Sequence, residues 1–133
     1  MKKVPVLLLL MLLYRPLAAQ LNLGVKILGL RNDKGIIMLQ IFDSERKIIG
    51  QERGLINDRS CLIVLKDLKP ARYAVRYFHD EDLSGEMETN KLGIPKEGYG
   101  FSNNASGRFG PKPFKDWLFT LNRDSTIEIT TCY

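Results

Sequence analysis

The chain has 133 residues, 44% hydrophobic and 26% charged, with 20 Lys and Arg against 15 Asp and Glu. This is the composition of one ordinary globular domain, and it excludes wholesale disorder, collagen and coiled coil. Lys2, Lys3 and Arg15 stand in the first 19 residues with no acid among them, so the remainder carries 17 bases and 15 acids, a net of +2. No Lys/Arg block is left to track phosphates, so nucleic acid is not an expected partner.

Residues 1–19 read as a secretory signal. Lys2 and Lys3 form a positive start, Val4 to Tyr14 an apolar stretch, and Leu17-Ala18-Ala19 a small-residue exit. Arg15 cuts the apolar run, which weighs against an uncleaved anchor. Cleavage after Ala19 leaves residues 20–133 as a single domain, periplasmic or secreted and not embedded in a membrane.

Leu21 to Leu30 places Leu21, Leu23, Val25 and Ile27 on one face, which predicts a strand. Residues 31–35 are a turn, and Ile36 to Phe42 a second strand that makes a hairpin with the first. Residues 43–60 are polar and irregular. Cys61 to Leu65 is a β-branched run, and Arg72 to Phe78 is rich in strand formers. The last pair is Trp117 to Leu121 and Thr126 to Thr131, joined by a tight turn. Pro113 to Asp116 allows one helical turn with Pro at its start. Short strands with turn signals predict an all-β, antiparallel β-sandwich.

Cys61 and Cys132 are the two cysteines. In an oxidising compartment they either bridge or remain thiols. Cys61 shares its face with Ile63 and Leu65, whereas Cys132 shares its face with Glu128 and Thr130, and that mismatch weighs against a bridge.

Between Phe78 and Trp117 the alternation stops, and six of the eleven glycines fall there. The stretch also holds Leu92, Ile94, Tyr99, Phe101, Phe109 and Phe114, so it reads as one long ordered loop rather than a disordered linker. It opens with Asp80-Glu81-Asp82-Leu83-Ser84-Gly85-Glu86-Met87-Glu88. Side-chain oxygens fall at the first, third and fifth places, Gly at the sixth and a carboxylate at the ninth, the spacing of a calcium loop. Asp80, Asp82, Ser84, Glu86 through its carbonyl, and Glu88 are therefore the candidate ligands. Lys91 stands where a helix-flanked calcium loop has a bidentate Glu, so this is not an EF-hand. The competing reading is a solvated acidic loop with Gly85 serving a turn.

His79 is the sole histidine, and beside Asp80 at a strand end it reads as a hydrogen-bonded structural residue. Nucleophile and phosphate-loop motifs are absent. Tyr99, Phe101 and Trp117 offer either a platform for a peptide or glycan of the cell envelope, or aromatic pins that hold the loop down.

Residues 79–119 resemble the signature of domain-of-unknown-function family 2141, exported bacterial proteins. The resemblance rests on His79, Asp80, Glu81 and Gly85, then on Leu92-Gly93-Ile94-Pro95 and Glu97-Gly98-Tyr99-Gly100-Phe101-Ser102-Asn103. Leu68-Lys69-Pro70-Ala71-Arg72-Tyr73-Ala74-Val75 resembles the family's turn into a strand, with Ala71 in place of the usual Gly. Asp82 and Ser84 replace the usual Asn residues, and Glu88 the usual Asp, so oxygen donors are kept. The resemblance implies a transthyretin-like or immunoglobulin-like Greek-key sandwich, and no activity. Transthyretin-like hydrolases use several histidines, and this chain has one.

The expectation is an exported, non-catalytic module whose acidic loop holds calcium, with no other cofactor. The alternative is a peptide- or glycan-binding module using Tyr99, Phe101 and Trp117. A third is a small hydrolase using His79 and Asp80.

Overall fold

The computed structural model describes residues 20–133, and the expected leader lies outside them. Ten strands follow in order: β1 (Leu21–Leu28), β2 (Ile36–Asp43), β3 (Ile48–Leu55), β4 (Cys61–Leu68), β5 (Ala71–Asp80), β6 (Tyr99–Phe101), β7 (Ser106–Gly107), β8 (Gly110–Pro111), β9 (Phe119–Leu121) and β10 (Ser125–Thr130). Single 3-10 turns occupy Ser102–Asn104 and Phe114–Asp116, the second entered from Pro113. Among the described residues no helix is long and apolar enough to cross a membrane.

The strands form an all-β sandwich. One sheet has the order β10-β1-β4; the other has the order β3-β2-β5-β6, with β9 also paired to β5. Alternation decides what each strand buries. Leu23, Val25 and Ile27 of β1 meet Ile37, Leu39 and Ile41 of β2, with Ile63, Val75, Tyr77 and Ile129 closing the core. All of these are at most 5% exposed, and each contributes roughly 1.5–3 kcal/mol by leaving water.

A second, smaller cluster lies on the outer face of the larger sheet. There Trp117 packs on Phe42, Ala74, Phe101 and Ala105. The Phe101 and Trp117 rings are 4.5 Å apart, and Phe42 meets Trp117 edge-on at 6.1 Å. The indole Nε1 donates to the Lys112 carbonyl at 2.9 Å. Ser102, fully buried, accepts from the Val75 amide at 2.9 Å and donates to the Trp117 carbonyl at 2.6 Å. These contacts tie the far end of the long segment to β5.

Three expectations need correction. β1 and β2 are not a hairpin: β1 pairs with β4 and, in parallel, with β10, while β2 lies in the opposite sheet. The turn at residues 31–35 therefore carries the chain across the core. β9 and β10 likewise separate, β9 joining β5 and β10 joining β1. Residues 48–55 are a strand, not irregular chain. β3 is an edge strand whose only buried residue is Gly54, so no apolar alternation marks it.

Cys61 and Cys132 are both free thiols, Cys61 buried in the main core and Cys132 half-buried with its Sγ 3.1 Å from Ser106 Oγ. Burial pushes the Cys61 thiol pKa up. Ala71 needs no left-handed backbone at the entry to β5; in that corner Asp67 takes it, at φ +60°.

A candidate cation site at the end of β5

Strand parity sets the site. On β5, Arg76, Phe78 and Asp80 point outward, while Val75, Tyr77 and His79 point to the core. β6 runs antiparallel to β5 with Tyr77 opposite Gly100 and Phe78 opposite Tyr99. The backbone continues in that register, since the His79 amide donates to the Gly98 carbonyl at 2.7 Å. One residue further, Glu97 comes opposite Asp80.

This register explains the residue order Glu97-Gly98-Tyr99-Gly100-Phe101. Glu97, Tyr99 and Phe101 face outward; the two glycines face the core, where aromatic rings lie against the backbone. A Cβ at Gly100 would sit 2.6 Å from the Tyr77 ring, and one at Gly98 would sit 2.6 Å from the Tyr133 ring. The glycines make room for tyrosines rather than for a ligand.

Asp80, Asp82 and Glu97 each bring a carboxylate oxygen within 4.8 Å of the others. Asp80 is 1% exposed and Glu97 4%. Asp80 is also the anchor of the loop, accepting from the Ser84 amide at 3.0 Å and the Gly85 amide at 2.9 Å. Glu97 is different. Its Oε2 is buried and has no hydrogen-bond partner. Burial pushes the Glu97 carboxyl pKa up, as do the charges of Asp82 and Asp80, while the Glu88 amide opposes the rise.

The other expected ligands are arranged around this trio. Glu88 neighbours Asp82, and their side-chain interaction holds Asp82 well below the usual carboxylate range and pushes Glu88 above it. Ser84 Oγ donates to the Glu86 carbonyl at 2.9 Å, so both groups serve the turn. Glu86 is exposed and outside the trio. Glu81 turns away to Arg31, 2.5 Å from its Nε, and this contact lowers the Glu81 pKa. Glu97 is the residue that the acidic spacing alone does not reveal, because it enters through strand pairing. Its outward alternation with Tyr99 and Phe101 was the available signal.

His79 is fully buried. Its Nε2 donates to the Lys34 carbonyl at 2.6 Å and its Nδ1 accepts from the Tyr133 hydroxyl at 3.2 Å. The imidazole thus joins the turn after β1, strand β5 and the C-terminal residue. Of the three candidate platform aromatics, Phe101 is 8% and Trp117 3% exposed, inside the second cluster, and Tyr99 is half-buried beside them.

No curated protein and no solved structure matches the chain. The model of one family, described as "Uncharacterized protein conserved in bacteria (DUF2141)", matches residues 25–129, most of the length, and the chain belongs to that family.

Proposed function

We propose that this protein is an exported, non-catalytic sandwich module whose long loop is fixed by a calcium ion held by Asp80, Asp82 and Glu97. The observation that carries the reading is Glu97 Oε2, a buried carboxylate oxygen with no partner, beside two further carboxylates. Asp80 and Glu97 stand opposite each other across a strand pair, where like charges repel. Repulsion at such short range, out of water, needs a proton or a cation between the groups.

The donor set is all oxygen, and one member, Asp82, lies on an exposed and irregular loop. That suits calcium, which accepts flexible geometry, better than magnesium, which demands a tight octahedron. Glu88, beside Asp82 but outside the trio, is a further oxygen donor for the shell. A site with few preset ligands binds in the 0.1–1 mM range of extracellular modules, which fits a periplasmic or secreted location.

The hydrolase reading requires an accessible base, and the His79 ring is enclosed with both nitrogens engaged. A stacking platform for a peptide or glycan requires exposed rings, and Tyr99 alone keeps part of its surface.

Melting with chelator and with roughly 10 mM calcium tests the proposal. For affinity near 0.5 mM, linkage gives about 2 kcal/mol. That corresponds to a rise in Tm of roughly 5–10 °C for a domain this size. A Tm indifferent to calcium removes the ion from the proposal.

A further inference from the structure

The outward face of the larger sheet carries a second feature that the cation site does not use. Two cross-strand rows lie side by side there. Arg53, Met38, Phe78 and Tyr99 form one; Gln51, Gln40, Arg76 and Phe101 form the other. These rows floor a groove of about 650 Å³. Met87 of the acidic loop, Pro111 of β8, Arg46 and Trp117 also line it.

The charge of the groove is one-sided. Arg46, Arg53 and Arg76 line it, against a single acid, Glu52. Among the described residues the only Lys or Arg with a carboxylate within 4.0 Å is Arg31, beside Glu81, so none of the three guanidiniums has a carboxylate partner. They are held in place by other means. Arg76 Nε donates to Gln40 Oε1 at 2.7 Å and its guanidinium stands 5.1 Å over the Phe42 ring. Arg46 lies 5.6 Å over Phe114 and 6.0 Å over Trp117. Guanidiniums fixed on aromatic faces, with their fork nitrogens unpaired, are arranged to take an oxyanion in bidentate fashion. Burial, and after it repulsion from Arg46, lowers the Arg76 pKa.

We propose that this groove binds a small organic anion. Its apolar body lies along Met38, Phe78 and Tyr99, and its carboxylate or phosphate is received by Arg76 and Arg46. Shape argues for a small molecule. The volume falls within the roughly 300–1,000 Å³ of ligand pockets, with a mostly apolar lining and a few convergent polar groups. Charge argues for an anion, since it alone relieves three unpaired cations. Arg76 stands on the sheet face and Arg46 in the turn between β2 and β3, both outside the cation site.

Trp117 is the sole tryptophan and lines the groove, so its fluorescence reports occupancy directly. The probes are octanoate, octyl phosphate and neutral octanol, each titrated into the purified protein with and without calcium. Saturable binding of at least one anion, about tenfold or more tighter than octanol, is expected. Which anion binds tighter identifies the head group. Arg46→Gln and Arg76→Gln, checked for unchanged melting, weaken the anion about tenfold each and leave octanol alone. Arg46 lies in an exposed turn, so its replacement keeps the test sound even where Arg76→Gln fails to fold. Octanol binding as tightly as both anions, no saturable signal from any probe, or undiminished anion binding by a folded Arg46→Gln protein overturns the proposal.

Discussion

His79 and Asp80 are neighbours in the chain, yet they serve opposite sides of β5. The imidazole is fixed inward at 2.6 Å from the Lys34 carbonyl, while the carboxylate grips the Ser84 and Gly85 amides outside. Strand pleating separates adjacent side chains in this way. The pair is therefore split across the strand, and Asp80 comes opposite Glu97 of the facing segment.

Glu97→Gln is expected to have opposite effects in two conditions. In chelator it removes a charge whose burial is unfavourable, so Tm stays level or rises. In calcium it removes a ligand, so the calcium-dependent rise shrinks by most of its size. Paired melting curves of the two proteins check both signs. A variant that is less stable in chelator and keeps the full calcium response contradicts the cation site.

The calcium response is expected to weaken with acid. The Glu97 and Glu88 pKa values are raised above their ordinary 4.5. An acid with a raised folded pKa favours the fold below its ordinary value and disfavours it once pH passes the folded value. Calcium acts against that penalty only where the carboxylates are ionised. The Tm difference made by calcium is therefore larger at neutral pH than at about pH 5, where protons compete for the same oxygens. Scanning calorimetry at both values measures this.

Ser102→Ala is expected to cost about 1–3 kcal/mol, because the Val75 amide and Trp117 carbonyl lose a buried partner. Urea unfolding shows the loss as a lower midpoint with an unchanged slope. An unaltered midpoint means that the second cluster holds the loop without this hydroxyl.

Gly100→Ala puts a methyl group against Tyr77, whose hydroxyl is fixed at 2.8 Å to Thr131 Oγ1. The ring cannot swing aside without breaking that bond. A loss of roughly 1–3 kcal/mol is expected from overpacking. Tyr77→Phe in the same background, which frees the ring to shift, is expected to recover part of it. Urea midpoints of the single and double variants decide.

Much of the strand content was legible in the chain. β1, β2, β4 and β5 show alternation because each buries one face, and the 3-10 turn after Pro113 follows from proline's fixed φ. β3 escaped because an edge strand with both faces open needs no apolar period. The acidic spacing brought Asp80 and Asp82 into view, and Ser84 and Glu86 with them, although these two serve the turn.

The sequence by itself determined that this chain builds short strands with one buried face, and that carboxylates crowd at the end of one of them, since side-chain alternation and local charge are written residue by residue. Which strands meet was decided only in three dimensions. Alternation fixes a strand's faces but not its neighbour, so the crossing of residues 31–35, the parallel β1–β10 pair and the arrival of Glu97 opposite Asp80 all depend on closing one core between two sheets. The same closure gathers Arg46, Arg53 and Arg76, from separate segments, over one groove.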